Sequence, residues 1–396
     1  MYDLGLKLMR RDHSTNYHKS PKKIVIYTDA FYPNKGGGES YCLDLAHTLS
    51  SMGFEVVVVT SVKSKDPDNF KFKVHRLNYS VSISGFNINF FEVLRYIIKE
   101  NPYLVHISGP TVMEEFLIPA LRILKIPVLL TFHGQFNGRM GKTALALFGR
   151  LSYRHLDRIL VQSQRDFKYI ERLKVYSKRV ELLYFNGIDL SKYQCTNRQY
   201  SESTDAIREE RVFQFIFVGG LTKSRPYKGI DVLVRTFIKN DRTDFHNKSR
   251  LIIVGSGDLF AELKEDAIES KNVVFRGQLN EDEKIKELCS SDALILPSVT
   301  QGEGFGRVAL EAISCGTPVL VSKYAGISEL IDKYKAGLIF DPNDEKDFII
   351  KMRLAITDKD LLSSFSHNGM EMIRQEGLDL LSTTTRTVQI YEDISK

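Results

Sequence analysis

Residues 24–59, IVIYTDAFYPNKGGGESYCLDLAHTLSSMGFEVVVV, contain the pattern that decides the fold class. The stretch opens with a short β-branched and aromatic run at 24–27, which predicts a strand, and then passes through a turn and three glycines at 36–38. Residues 39–52 carry apolar side chains at helical spacing, and residues 55–59 predict the next strand. The stretch therefore predicts a β-α-β unit of the kind that builds parallel sheets.

The same alternation runs through both halves of the chain. Further apolar runs stand at 104–107, 128–131 and 159–161 in the first half and at 215–218, 251–254, 273–275, 293–296 and 318–321 in the second. The polar stretch 191–211 separates the two sets and is interpreted as a linker. We expect an α/β protein with two Rossmann-like, doubly wound parallel-sheet domains, residues 1–190 and 212–375, facing each other across a ligand cleft.

Composition excludes several classes of protein. The 396 residues are 43% hydrophobic and 26% charged, with no apolar run of the roughly 20 residues that a membrane helix needs and no signal-peptide pattern at the N-terminus. The four cysteines are scattered and predict neither a metal site nor a disulfide, which suits the cytoplasm. Residues 1–190 carry a net charge of +10 and the remainder −4. This asymmetry indicates an anionic partner of the first half, unless one half is basic by chance.

The strongest chemical signal is the stretch 303–311, EGFGRVALE. A strand enters a glycine-rich loop here, and a helix begins near Gly306. Such a helix start exposes unpaired N–H groups that suit a diphosphate. Glu303 and Glu311 lie about two helical turns apart and can accept hydrogen bonds from the hydroxyls of a ribose or hexose. The alternative is a surface turn with two solvated glutamates.

At these residues the sequence resembles the retaining glycosyltransferases of family 4, which have the GT-B architecture. Glu303 and Glu311 match the family's Glu-x7-Glu signature. The first glycine loop (32–39), the histidine motif at 131–134 and the end of the first domain at 186–189 are also similar to the family. The resemblance implies a nucleotide-sugar donor in the second domain, an acceptor in the first, and a C-terminal segment, 376–396, that crosses back to the first domain.

The resemblance also assigns roles residue by residue. Glu311 would bind the donor ribose, and Glu303 would hold the sugar's hydroxyls together with the amides of Gly304, Phe305 and Gly306. The remaining assignments are His133 beside the reacting carbon, the amides of Arg307 and Val308 at the phosphates, Gly36 and Gly37 lining the cleft, and Gly277 near the base. His133, Lys228 and Glu303 are the predicted catalytic residues.

The sequence departs from the family where a cationic pair usually meets the diphosphate. Gly220 stands at the usual arginine, and the loop that follows is about three residues longer. Lys228 matches the family's lysine, and either Lys223 or Arg225 is the candidate for the second cation. Negative charge develops as the nucleoside diphosphate leaves, so a site without metal needs such a cation.

Weaker patterns leave alternatives open. Residues 255–258, GSGD, are interpreted as a tight turn rather than a dinucleotide fingerprint, and 66–68, DPD, as a loop rather than a metal site. His106 is either structural or a cleft residue. The segment 139–158 predicts a helix with a basic side (Arg139, Lys142, Arg150, Arg154 and Arg158) and an apolar side (Ala144, Leu145, Phe148, Leu151 and Leu156). This helix either rests on an anionic membrane surface or packs on the sheet.

Together these features predict a cytoplasmic, metal-independent glycosyltransferase that uses no cofactor and binds no nucleic acid. It would move a sugar, with retention, from a UDP- or GDP-sugar to a glycan or lipid-linked acceptor, and could be peripheral on the membrane. The alternatives are a GT-B nucleotide-sugar epimerase and a catalytically inactive nucleotide-sugar-binding subunit, the latter because of Gly220. An oxidoreductase is a more distant option.

Overall fold

Two parallel sheets organise the chain. The computed structural model describes residues 21–77, 81–83, 86–88, 90–109, 113–134, 152–173, 177–195, 212–240 and 248–396. Within these residues, the first sheet has seven parallel strands in the order β3-β2-β1-β6-β7-β8-β9. Its strands are β1 (Lys23–Thr28), β2 (Glu55–Thr60), β3 (Lys73–Arg76), β6 (Leu104–Gly109), β7 (Val128–Phe132), β8 (Arg158–Val161) and β9 (Val180–Leu182). A small antiparallel pair, β4 (Val81–Ile83) and β5 (Phe86–Ile88), lies outside this sheet.

Helices cover both faces of the first sheet because alternate residues of each strand enter two different cores. Ile24 and Ile26 pack against α1 (Gly37–Ser51), whereas Val25 and Tyr27 of the same strand join the opposite core. That second core also takes side chains from α2 (Phe90–Glu100), α3 (Glu114–Ile123) and α4 (Gln164–Arg172). The sheet is doubly wound, as the unbroken apolar strands predict.

In the described part of residues 212–396, the second sheet repeats this plan with six parallel strands in the order β12-β11-β10-β13-β14-β15. The strands are β10 (Phe213–Val218), β11 (Ser249–Val254), β12 (Val273–Gly277), β13 (Ala293–Leu296), β14 (Val319–Ser322) and β15 (Gly337–Phe340). The helices are α5 (Ile230–Lys239), α6 (Phe260–Asp266), α7 (Glu281–Ser290), α8 (Arg307–Ser314), α9 (Ser328–Tyr334), α10 (Glu345–Thr357) and α11 (Lys359–Glu376). In both sheets the chain reverses its winding direction beside the first strand, which is where α/β sheets bind ligands.

The chain crosses between the domains at two adjacent places. Ile188 pairs with Asp379, so the outgoing and returning segments run side by side. The last helix, α12 (Leu380–Ile394), then packs against α1, and Ile390 and Tyr391 complete the first domain's core. The chain therefore passes between the two domains twice, and the two passes lie next to each other.

Tyr391 also satisfies a buried histidine of the first sheet. His106 is fully buried, shares a hydrogen bond with the Tyr391 hydroxyl through Nδ1, and places Nε2 3.1 Å from Thr131 Oγ1. Burial, followed by the charge of His133, lowers the pKa of His106 to about 3. His106 is thus a neutral, hydrogen-bonded core residue, in agreement with the structural interpretation of it.

We expect Tyr391→Phe to lower the free energy of unfolding by about 1–3 kcal/mol, because it leaves the His106 Nδ1 buried without its partner. Urea denaturation measures this change. Tyr32→Phe is the matched control, because it removes the hydroxyl of an exposed tyrosine. We expect it to change the free energy of unfolding by less than about 0.5 kcal/mol. Equal stabilities of the two variants would contradict the role of the Tyr391 hydroxyl.

Two sequence predictions need correction. The predicted helix over 139–158 is wrong at its end: residues 153–155 form a short 3-10 turn, and Arg158 opens β8, because the chain must straighten to bury Ile159–Val161. The remainder of that segment up to Leu151, like residues 196–211 of the predicted linker, lies outside the described residues. Among the described residues, no helix is long and apolar enough to cross a membrane.

The expectation that the cysteines form no disulfide is also wrong. Cys195 and Cys289 are joined by a disulfide although they are 94 positions apart, and the buried Cys315 has its sulfur within 4.8 Å of both. Sequence spacing could not show this, because the three residues come from the segment after the first domain, the end of α7 and the end of α8. The disulfide fastens the segment that leaves the first domain to the second domain.

Candidate functional site

The site begins where β13 ends. The chain turns through Gly306, whose φ of 94° falls in the left-handed region, and α8 starts at the next residue. A Cβ atom on Gly306 would lie 2.6 Å from Leu296 Cδ2, so glycine is required for space as well as for conformation. The first amides of α8 have no partners within the helix and form an anion-binding end. Phe305 is buried in the core of the second domain, which leaves only its backbone for a ligand.

Lys228 and Glu303 meet in front of this helix. They follow β10 and β13, the two strands at the point where the winding of the second sheet reverses. Lys228 Nζ donates to Glu303 Oε2 at 2.9 Å, and both side chains are largely buried. Burial disfavours the ammonium, but the Glu303 carboxylate outweighs this effect and the pKa of Lys228 is raised. The structure thus brings together two of the three predicted catalytic residues as a charged pair.

The third, His133, stands opposite on the first domain, directly after β7. A Cβ atom on Gly304 would lie 1.9 Å from the His133 carbonyl oxygen, and one on Gly134 would lie 3.0 Å from Gly304 Cα. The loops of the two domains therefore touch backbone to backbone, and only glycines allow it. His133 Nε2 lies 2.9 Å from Ser108 Oγ. Burial and then the charge of Arg307 lower the pKa of His133 to about 4, so its ring is neutral near pH 7.

Glu311 lies one turn into α8 and is almost fully buried. Lys284, on α7, donates to Glu311 Oε2 at 2.8 Å and also lies 2.9 Å from Glu281 Oε1. The Tyr193 hydroxyl donates to Glu281, which connects this group to the segment leaving the first domain. Burial lowers the pKa of Lys284, but the two glutamates outweigh it and the pKa is raised. Sequence reasoning missed Lys284, because a lysine on a polar helix gives no sign of which way it faces.

The two candidates for the second cation have different surroundings. Lys223 pairs with Glu262 at 3.1 Å on the exposed surface of the second domain. Arg225 reaches across the cleft, where its NH2 lies 3.6 Å from Glu39 Oε1 of α1. Its NH1 lies 4.0 Å from the position that a Cβ atom on Gly220 would occupy. Arg225 therefore fills the space beside Gly220, whereas among the described residues Lys223 pairs only within the second domain.

The cleft glycines lie at the start of α1. A Cβ atom on Gly36 would lie 2.3 Å from Glu39 Oε2, and one on Gly37 would lie 3.7 Å from Arg307 Cβ. The beginnings of α1 and α8 thus face each other across the cleft.

The two remaining predicted donor contacts lie on the second domain. Val308, the second residue of α8, is half-buried. Gly277 ends β12 with a φ of 69°. Among the described residues, nothing lies within 4 Å of the place where a Cβ atom on Gly277 would stand.

The weaker motifs take structural roles. Cβ atoms on Gly255 and Gly257 would lie 1.9 Å and 2.1 Å from the carbonyl oxygens of Gly219 and Leu221. These glycines of the GSGD turn therefore let it pack against the loop that carries Lys228, as expected of a tight turn. Asp68 of the DPD sequence forms an ion pair with Arg76.

Comparison with known proteins identifies the family. Residues 35–192 match the family Glycosyltransferase Family 4, and residues 202–372 match Glycosyl transferases group 1. MJ1607, an uncharacterised glycosyltransferase of Methanocaldococcus jannaschii, is 30% identical over 352 residues, which span 81% of this chain and 86% of the relative. This chain is a family 4 glycosyltransferase. Family membership confirms the resemblance drawn from the sequence.

Solved structures confirm the GT-B fold of this glycosyltransferase. Sucrose-phosphate synthase from Thermosynechococcus elongatus aligns with a TM-score of 0.76 at 19% identity, covering 94% of this chain and 99% of that one. Anabaena Alr3699/HepE in complex with UDP aligns with a TM-score of 0.74 at 17% identity, covering 94% and 100%. The prediction of two Rossmann-like domains in the GT-B arrangement is therefore correct.

The glycosyltransferase also holds its Glu303 loop from the first domain. Arg165, at the start of α4, donates from NH2 to the Glu303 carbonyl oxygen at 3.1 Å. The Glu329 carboxylate of the second domain accepts from the backbone amides of Gln164 and Arg165, and so caps α4. No sequence pattern indicates these contacts, because each joins residues more than 130 positions apart.

Proposed function

We propose that this glycosyltransferase moves a sugar from a UDP- or GDP-sugar to a hydroxyl of a glycan or lipid-linked acceptor, with retention and without a metal ion. The observation that carries the proposal is the Lys228–Glu303 pair, which lies at the start of α8 where His133 closes the cleft. A carboxylate for sugar hydroxyls, a cation for the leaving group and an anion-binding helix end are thus assembled together.

The second domain would bind the donor. Glu311 would accept hydrogen bonds from the ribose hydroxyls, and the amides of Arg307 and Val308 would meet the diphosphate. The fold's similarity to Alr3699/HepE in complex with UDP supports a nucleotide ligand. The open edge at Gly277 would take the base.

Two side chains would stabilise the leaving diphosphate in place of a metal ion. Lys228 stays protonated because its pKa is raised, and Arg225 lies beside Gly220, where the family usually has an arginine. Preorganised cations in a cleft that excludes water stabilise developing charge at little reorganisation cost. This arrangement supports a reaction that continues in EDTA.

The first domain would bind the acceptor. Retention follows from the resemblance to family 4, and the acceptor hydroxyl would attack on the face from which the diphosphate leaves. His133, neutral near pH 7, would line the sugar pocket without repelling Lys228. The net charge of +10 in residues 1–190 favours an anionic, lipid-linked acceptor on the cytoplasmic face of a membrane. Sedimentation with anionic liposomes at low salt tests that location, and no binding at low salt would exclude it.

Thermal unfolding with a panel of nucleoside diphosphates and nucleotide sugars, in EDTA and in magnesium, tests the donor class. A ligand that binds the folded chain raises the midpoint by mass action. We expect UDP or GDP compounds to raise it in EDTA and Glu311→Ala to remove the shift. NAD is the control. A shift that requires magnesium would contradict the metal-free site, and a shift with NAD alone would contradict the donor class.

The loop after β10 gives a matched pair of variants. We expect Arg225→Gln to lower kcat by about 10–100-fold, because a cation next to the leaving diphosphate is lost. Lys223→Gln should change kcat by less than about twofold, since the Lys223 side chain makes only an exposed ion pair with the residues that the structure describes. Steady-state kinetics with saturating donor gives kcat for both variants. A larger loss in Lys223→Gln would reverse the assignment.

A further inference from the structure

A line of charged side chains connects the first domain to the donor helix. Arg307, the first residue of α8, donates from NH2 to the carboxylate of Asp44 on α1. One turn further along α8, Glu311 Oε1 lies 3.5 Å from Arg307 Nε. The side chains of Arg307 and Glu311 are only 6% and 7% exposed, and that of Asp44 is 20% exposed. This ion pair between the domains is therefore well shielded from water.

Two carboxylates lie beside the Arg307 guanidinium, that of Asp44 and that of Glu311. Glu311 already accepts from Lys284 through Oε2 at 2.8 Å. Among the described residues, Arg307 Nε and NH1 are buried and make no hydrogen bond, and the 3.5 Å to Glu311 Oε1 exceeds a normal hydrogen-bond length. A buried guanidinium that lost Asp44 would have to seek another acceptor, because leaving it unpaired is costly. After that of Asp44, the carboxylate nearest to Arg307 among the described residues is that of Glu311, through Oε1.

We propose that Asp44 is a positioning residue for donor binding. From the opposite domain it holds Arg307 beyond hydrogen-bond distance of Glu311, so that Glu311 Oε1 can accept hydrogen bonds from the ribose hydroxyls of the nucleotide. Donor affinity, a property of the second domain, then depends on contact with α1 of the first. This inference rests on the proposed function of Glu311 as the ribose acceptor.

Isothermal titration calorimetry of the full chain with UDP and with GDP tests this role of Asp44. We expect Asp44→Asn to weaken binding of the preferred nucleotide by about tenfold, within the usual range of coupling between sites. Asp44→Glu keeps the charge and should recover most of the affinity. The matched control is Asp68→Asn, which removes another Asp–Arg pair of the same domain at similar exposure and should leave binding within twofold of the original.

A second pair of variants shows whether Asp44 acts through Arg307. In an Arg307→Met background there is no guanidinium to restrain, so adding Asp44→Asn should not weaken binding further. This pair contains no unpaired buried cation and stays measurable even if Asp44→Asn alone is unstable. Donor KM should rise in Asp44→Asn more than kcat falls, which general unfolding would not produce.

The outcomes separate the inference from the proposed function. If Asp44→Asn binds as tightly as the original chain while Glu311→Ala loses binding, the role of Asp44 is overturned and the donor site stands. An equal effect of Asp44→Asn with and without Arg307 would also overturn it. If the original chain binds no nucleoside diphosphate, the proposed function itself fails.

Discussion

Replacement of Lys228 by glutamine is expected to lower kcat by about 10²–10³-fold, the usual cost of removing one group that stabilises charge in the transition state. Lys228 is held at 2.9 Å from Glu303 with a raised pKa, so it carries a full charge where the diphosphate would depart. Steady-state kinetics with the donor found in the binding panel measures the loss.

Glu303→Gln and the double variant complete this experiment. Because the two side chains form one charged unit, the losses in the single variants should not add in the double variant. Nucleotide binding by Lys228→Gln shows that the site still folds. A kcat within tenfold of the original would contradict the role of Lys228 and leave Arg225 and the helix amides as the main stabilisers of the leaving group.

Gly304→Ala is expected to lower kcat/KM by about 100-fold or more. The new methyl group would lie 1.9 Å from the His133 carbonyl oxygen, so the two loops must separate. A displacement of about 1 Å between reacting groups can cost 10²-fold in rate. Because the nucleotide contacts lie in the second domain, we expect nucleoside diphosphate binding to fall much less than turnover.

Gly38→Ala is the control for this substitution. Its methyl group would lie 3.5 Å from Ala30 Cβ, an ordinary contact, and α1 accepts alanine at a helical position. We expect its activity to stay within about threefold of the original. Full activity in Gly304→Ala would show that this contact between the loops is not part of the active arrangement.

Local sequence patterns were sufficient to predict the α/β domains, whereas the predicted site residues came from those patterns together with the resemblance to family 4. The β-α-β unit of residues 24–59 and its repetition depend on periodicity, which neighbouring residues determine. The glycines around Glu303 carry a requirement for space and conformation that is visible in the sequence. Their contact with Gly134 was not visible, since it depends on how the domains meet.

Charged contacts between distant helices could not be predicted. Asp44 and Lys284 occur on amphipathic helices, where the sequence does not distinguish a solvated charge from one that faces a cleft. The same limit applies to Arg225, whose reach depends on a loop of unusual length, and to the Cys195–Cys289 bond. These contacts depend on which side chains are buried and how far apart they lie in the folded chain. A sequence motif contains neither kind of information.

The return of α12 to the first domain also constrains how the protein is made. Ile390 and Tyr391 fill the core formed around β1 and α1, so this domain lacks part of its interior until residues 380–394 have been synthesised. The second domain can fold earlier, because its strands and helices precede that point. A premature stop before α12 would therefore damage the half of the protein that is translated first and leave the later half the more intact.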